Sequence, residues 1–399
     1  RGPVPQPERE YQMSNANFWK FRREAKRLWR QFSKLPTNLR DDLFKNKEFE
    51  KRYATEIKVT KGVHVISSEV AIYLIFPSNG VEQSHLATLQ QMVEEGIAPF
   101  IISNLPLSDQ DRDMLTKHSW RIMERPNIGY DFGGYRDGVL FLREYLPKLQ
   151  QFYILNDSAW IIDAPQTWFQ QVRALNVDFC GATSNYEVKR VAIDKFCDVE
   201  WILTPNHRNY HYASYALAFG PKVIQDDFFI SFWQRYKLSD DKKRVVRRGE
   251  IGLSQNVLSR NFSHATTCPV HNLDEEIAAL DKRELDRVAR LLILSGYPKL
   301  HELRCQVLKS DFKSERGRQL RVYLILTAVT LQAMAYALPA YTVTKRGFQF
   351  VKKSPIWLTR EGSDATLAVL ETLDGPLAQT ALQEARELRA AKGKHLDAG

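Results

Sequence analysis

Two stretches of this 399-residue chain combine residue types suited to a phosphorylated ligand. The first is Arg125-Pro-Asn-Ile-Gly-Tyr-Asp-Phe-Gly-Gly-Tyr-Arg-Asp-Gly138. Gly129, Gly133 and Gly134 let backbone amides approach a ligand closely at the start of a helix, the makings of an anion or phosphate site. The run lacks the Gly-Lys-Ser/Thr ending of a P-loop and the spacing of a dinucleotide fingerprint, and a tight structural turn is the alternative. The second stretch is Asn156-Asp157-Ser158, where a carboxylate closes a hydrophobic run. Mg2+ or Mn2+ prefers one or two carboxylates together with phosphate oxygens, so Asp157 downstream of the glycines suits metal-bridged diphosphate binding. Alone, an Asp at such a place is a turn or cap residue.

These residues need elements to hold them, and the hydropathy pattern supplies a set. Val70–Phe76, Ile97–Ser103, Trp120–Met123 and Phe152–Leu155 are short apolar runs of the kind buried in parallel sheets. Helix-like stretches lie between them, around His85–Glu95 and Arg136–Tyr145. The alternation predicts βαβ units and an α/β fold with a mainly parallel sheet, whose ligands bind at the carboxyl ends of the strands. A further strand-like run, Tyr210–Phe219, carries His211 among aromatics. After Leu273 the pattern becomes helical. The stretch 322–338 is apolar but short and interrupted by Gln332, which favours a buried helix over a membrane span. Pro376–Lys394 reads as an exposed or docking helix.

At the other end, Asn17–Lys34 places Phe18, Phe21, Ala25, Leu28 and Phe32 on one helical face amid lysines and arginines. That basic amphipathic helix packs on the protein's own core or lies on an anionic membrane. The start of the chain has no signal-peptide core and reads as a cut from a longer protein. The expected divisions are 1–60, an amphipathic helical segment; 61–273, the sheet domain; and 274–399, a helical region. Lys and Arg number 57 against 47 Asp and Glu, a net charge of +10. A basic chain suits nucleic acid, an anionic membrane or a phosphorylated substrate. The excess gathers at Lys20–Arg30 and Lys242–Arg248 rather than along an aromatic-lined groove, which argues against nucleic acid. Cys180, Cys197, Cys268 and Cys305 are scattered, which argues for reduced thiols in a cytoplasmic setting and against a disulfide framework.

Four motifs follow one another: Arg125-x-Asn127-x-Gly129-Tyr-Asp131-Phe-Gly133; Tyr153-Ile-Leu-Asn156-Asp157-Ser158; His211-Tyr-Ala-Ser214-Tyr with Phe228 and Phe232-Trp233; and Glu250-Ile-Gly-Leu-Ser254. With them, from about Ser68 to Asn272, the chain resembles the rhamnan synthesis F family, bacterial polysaccharide glycosyltransferases similar to the GT-A fold. Arg346–Pro355 is a weaker echo, similar to the basic-aromatic segment that often closes such proteins.

The resemblance implies an enzyme that transfers a sugar, rhamnose first among the candidates, from a dTDP- or GDP-activated donor. The acceptor is a polymeric or lipid-linked bacterial glycan at the inner face of the cytoplasmic membrane. Asn156-Asp157-Ser158 stands where an Asp-x-Asp motif is expected, with one carboxylate instead of two, so Asp157 holds the metal or only orients the donor. Asn127, Gly129, Asp131 and Gly133 line the donor side, and Arg125 or Arg136 neutralises phosphate. Glu250 is the candidate base of an inverting transfer, against the reading of a first-turn helix acid. His211 and Trp233 are candidate sugar contacts. His271 is a candidate second metal ligand beside Asp157. The rival readings are a same-fold transferase for another nucleotide sugar, a basic nucleic-acid-binding module and an inactive scaffold.

Overall fold

The structure, a computed structural model, describes residues 54–393 and Leu396. The expected N-terminal amphipathic helix lies outside the described residues. Glu56–Gly399 forms one compact unit. Its strands are β1 (Lys58–Lys61), β2 (Glu69–Ile75), β3 (Ala98–Ser103), β4 (Arg121–Glu124), β5 (Gln151–Asn156), β6 (Ala159–Ile161), β7 (Phe179–Gly181), β8 (Ser184–Asn185), β9 (His211–Tyr212), β10 (Ala216–Phe219), β11 (His264–Thr266) and β12 (Phe350–Lys352).

Eight strands make the central sheet, in the order β1-β4-β3-β2-β5-β10-β7-β11. The four predicted runs are its core: β4, β3, β2 and β5 are mutually parallel. Val70 to Ile75 are buried on both faces, which is why their sequence is continuously apolar rather than alternating. β1 and β10 run antiparallel to their neighbours. The strand-like run 210–219 is not one strand: it divides into β9, which pairs with β8, and β10 in the main sheet. The chain order reverses between β2 and β5, so the ends of these two strands bound a topological switch point, the place where open α/β sheets bind ligands.

The helix after β2, Gln83–Glu94, starts on a capping box between Glu82 and His85. The helix after β4 begins at Tyr130, six residues before the predicted start, and runs to Phe141. Gly129 caps it in the left-handed conformation at φ 78°. The other glycines serve packing. A Cβ on Gly133 would run into the Ile128 carbonyl, one on Gly134 into Leu74, and one on Gly138 into Ile102 and Ile72. Gly134 and Gly138 bring the helix down onto β2 and β3, while Gly133 packs against the Ile128 carbonyl of the preceding loop.

The region after Leu273 is helical as expected, with one strand among its described residues, β12. The apolar stretch 322–338 contributes to the buried helix Glu315–Leu331, then breaks at Gln332. Among the described residues no helix is long and apolar enough to cross a membrane. β12 pairs antiparallel with β6, Lys352 opposite Ala159. The helix Pro376–Lys392 docks beside it: Glu384 accepts from the Ser84 amide at 2.8 Å and from the Trp160 indole at 2.8 Å. Buried donors of this kind need a partner, and the end of the chain supplies it for the β2 and β5 connections. All four cysteines are free.

Candidate functional site

The switch point is built around Asp157. Its amide donates to the Leu74 carbonyl at 3.1 Å, and its Oδ2 accepts from the Phe76 amide at 2.7 Å. Asp157 thereby ties the end of β5 to the end of β2. His85 Nε2 stands 3.4 Å from the same oxygen. Burial works to raise the Asp157 pKa, but His85, Lys353 and the Phe76 amide together outweigh it and hold the group ionised below the usual carboxylate range.

Asn156 and Ser158 flank it in a closed turn. Asn156 Oδ1 accepts from the Ser158 amide at 3.1 Å and hydroxyl at 2.6 Å. Asn156 Nδ2 donates to the Tyr135 hydroxyl at 2.9 Å, which in turn donates to the Ser214 carbonyl at 3.1 Å. Tyr135 therefore links the helix Tyr130–Phe141, the end of β5 and the segment before β10.

Glu250 lies on that side. It sits in a π-helical turn, Val246–Ile251, inside a continuous helical run from Lys242 to Leu258, rather than at a helix start. The first-turn alternative, a carboxylate serving the helix dipole, falls with that placement. Burial first, and then the charge of Asp131, push Glu250 up to about 7. Asp131, in the first turn of its own helix, is likewise raised by burial. His211 stands beside them, its Nε2 3.6 Å from Glu250 Oε2. Its Nδ1 donates to the Asn209 carbonyl at 2.7 Å and burial lowers its pKa, so it is a neutral neighbour of Glu250.

A residue without an assigned role in the sequence completes the cluster. Lys352 Nζ donates to Ser158 Oγ at 2.9 Å and lies 3.8 Å from the Tyr215 ring centre. Burial pushes Lys352 down to about 8, with Lys242 adding and Glu250, Asp131 and Asp157 opposing. Side chains alternate along β12. Lys352 faces Tyr215 and Ser158, whereas Lys353 faces the other way, to Glu82 at 2.6 Å and over the Trp160 ring. The basic-aromatic segment carried a signal in the sequence, but nothing there joined it to Ser158.

The structure thus gathers Asp131, Asn156, Asp157, Ser158, His211 and Glu250. It places the remaining candidates elsewhere. Asn127 is exposed on the loop before the Gly129 cap. Arg125 is buried and turned inward: it donates to Asp137 at 2.7 Å, Asn104 at 2.7 Å and the Ile128 carbonyl at 3.0 Å. It clamps the loop from within rather than meeting a phosphate. Trp233 is fully buried and stacks on Phe132, with ring centres 5.8 Å apart, so the core and not a sugar occupies its face. His271 faces Glu187 at 3.7 Å, a different set of neighbours from those of Asp157. Among the described residues no group of three or more His, Cys, Asp or Glu is arranged to hold a metal ion. The expected metal-ligand pair of Asp157 and His271 does not form: Asp157 Oδ2 is taken by the Phe76 amide and His85, and a lysine stands at Ser158.

A family model described as rhamnan synthesis protein F matches residues 99–303. An uncharacterized protein of Sinorhizobium fredii, y4gN, is 31% identical over 205 residues, which cover 51% of this chain and 49% of that protein. The chain therefore spans about half the length of the curated relative it matches. A solved structure of core-mannan synthase A from Aspergillus fumigatus, in an Mn/GDP form, aligns with 49% of this chain and 68% of its own, at 7% identity and a TM-score of 0.26.

Proposed function

The chain belongs to the rhamnan synthesis protein F family, and on that premise we propose that it is a glycosyltransferase acting on a nucleoside-diphosphate sugar. The observation that carries the reading is a half-buried carboxylate, Glu250, whose pKa burial and the charge of Asp131 push up to about 7, in the corner where Lys352 also meets the ionised Asp157. A transfer to a hydroxyl needs a base whose pKa lies close to the working pH, and an acceptor-side carboxylate at about 7 meets that requirement. Glu250 takes the acceptor proton as the hydroxyl attacks the anomeric carbon, and the nucleoside diphosphate leaves from the opposite face, so the configuration inverts. Asn156, Asp157 and Ser158 orient the donor, Asp131 lies between donor and base, and His211 borders the sugar.

The donor is dTDP- or GDP-rhamnose by preference, in a GT-A-like arrangement. Residues 61–273 hold the transfer carboxylates, and the helical region that follows braces them and delivers Lys352. The acceptor is a growing cell-surface or lipid-linked glycan. A nucleotide-diphosphate ligand at about 100 times its Kd stabilises the folded protein by about 2.7 kcal/mol, so dTDP or GDP is expected to raise the melting temperature measurably. Thermal scanning with each nucleotide checks this. No shift with any nucleoside diphosphate, together with a shift on adding oligonucleotide, favours the basic nucleic-acid module instead.

The same reading sets the protein at the inner face of the cytoplasmic membrane, supported by the basic aromatic pattern of residues 17–34. Flotation with anionic liposomes is expected for the wild type and lost in Trp19→Glu/Trp29→Glu. Unchanged flotation of that variant removes this segment as the anchor.

A further inference from the structure

The transfer reading leaves a charge unanswered. A nucleoside diphosphate brings about two negative charges to a corner already holding Asp157, Asp131 and Glu250, and such charge needs a cation or a set of oriented donors. No cluster of metal ligands stands there among the described residues. What stands there is Lys352, delivered by a strand near the end of the chain. The β12–β6 pairing fixes Lys352 opposite Ala159, the residue that follows Ser158. Its ammonium group contacts Ser158 Oγ at 2.9 Å and rests on the Tyr215 ring at 3.8 Å. Tyr215 also packs edge-on against Phe350, 5.4 Å away, so the aromatic platform and the lysine are set by the same strand.

We infer that Lys352 binds the donor diphosphate directly, in the place a divalent cation takes in metal-dependent transferases, and that donor binding by this protein requires no metal. The inference rests on the transferase reading and deepens it. Its geometric basis is independent of Glu250: an ammonium group beside the Asn156-Asp157-Ser158 turn, with Ser158 Oγ and the Tyr215 ring both contacting it. Lys353, one residue on, is engaged with Glu82 and Ser84 on the opposite side and cannot substitute. A lysine also suits the task chemically, because its compact charge tracks a phosphate oxygen without demanding the fixed ligand count of a metal.

The test is titration calorimetry of dTDP, GDP and the corresponding nucleosides against the full chain, with and without EDTA. For wild type, the diphosphate that binds is expected to do so equally in EDTA. Lys352→Met is expected to weaken that diphosphate roughly 10- to 100-fold, the value of one charge-assisted hydrogen bond, while the nucleoside alone binds as before. Lys352→Arg is expected to retain most of the affinity and serves if the methionine variant fails to fold. Loss confined to the diphosphate supports the inference. Equal diphosphate affinity in wild type and Lys352→Met overturns it, as does wild-type binding that EDTA abolishes and Mn2+ restores. If neither nucleotide binds the wild type, UDP and the remaining nucleoside diphosphates are titrated in the same way, and binding of none of them overturns the transferase reading and the inference with it.

Discussion

Glu250→Gln is expected to lower turnover roughly 10²- to 10⁴-fold, the range a positioned general base contributes, while leaving donor affinity nearly unchanged. The amide keeps the shape of the side chain and removes the capacity to accept a proton. Wild-type activity is expected to rise with pH through about 7, where the half-buried carboxyl ionises. The groups that set this value are Asp131, which raises it after burial, and Lys352, Ser214 and Lys242, which lower it. Neutral His211 stands alongside without a charge of its own. The sign for stability runs against the sign for activity. A carboxyl raised above its unfolded value contributes stability below the unfolded pKa and loses it as pH rises through the folded one. Glu250→Gln is therefore expected to melt at or above the wild-type temperature at pH about 8. Lost activity with kept or raised stability identifies a working carboxylate. A variant with wild-type turnover moves the base to another residue.

Arg125→Ala is expected to destabilise the protein by about 3–5 kcal/mol, the usual consequence of removing one partner of a buried ion pair. Arg125 and Asp137 meet at 2.7 Å with side-chain exposures of 0% and 6%. The same guanidinium holds Asn104, whose amide nitrogen donates to the Tyr130 carbonyl at 3.2 Å. Removing it leaves Asp137 with Arg136, at 3.2 Å, as its ion-pair partner among the described residues, and frees the loop that leads into the Gly129 cap. Urea unfolding followed by circular dichroism checks the expectation. A variant of wild-type stability that binds nucleotide poorly gives Arg125 the phosphate role its sequence position suggests.

These two arginine and glutamate positions illustrate what local sequence conveys. The parallel strands were legible because a strand buried on both faces has no reason to carry polar residues, and Val70–Phe76 reads that way without context. Asp157 stood out only in company: an Asp closing a strand is by itself a turn or cap residue, and the Gly-rich stretch upstream is what singled it out. The Gly-rich stretch was legible as a helix start but not in its purpose. Spacing does not say which side of a helix faces the sheet, and Gly133, Gly134 and Gly138 turn out to face Ile128, Leu74 and Ile102. Arg125 was opaque because its surroundings are decided by Asp137, on the next turn of structure, and by Asn104 from a different strand end. Trp233 was misread because an aromatic in a site motif and an aromatic in the core look alike until Phe132 is seen stacked on it. Lys352 lies 194 residues from Ser158. No periodicity or spacing carries information over that distance; only the pairing of β12 with β6 does.

The measurement that tests the account most directly is release of nucleoside diphosphate from a panel of sugar nucleotides, dTDP- and GDP-rhamnose included, by wild type and Glu250→Gln side by side with a glycan acceptor. Wild type is expected to turn over at least one of them, whereas Glu250→Gln binds the same donor but releases almost none. Turnover of no sugar nucleotide, or equal turnover by both proteins, contradicts it.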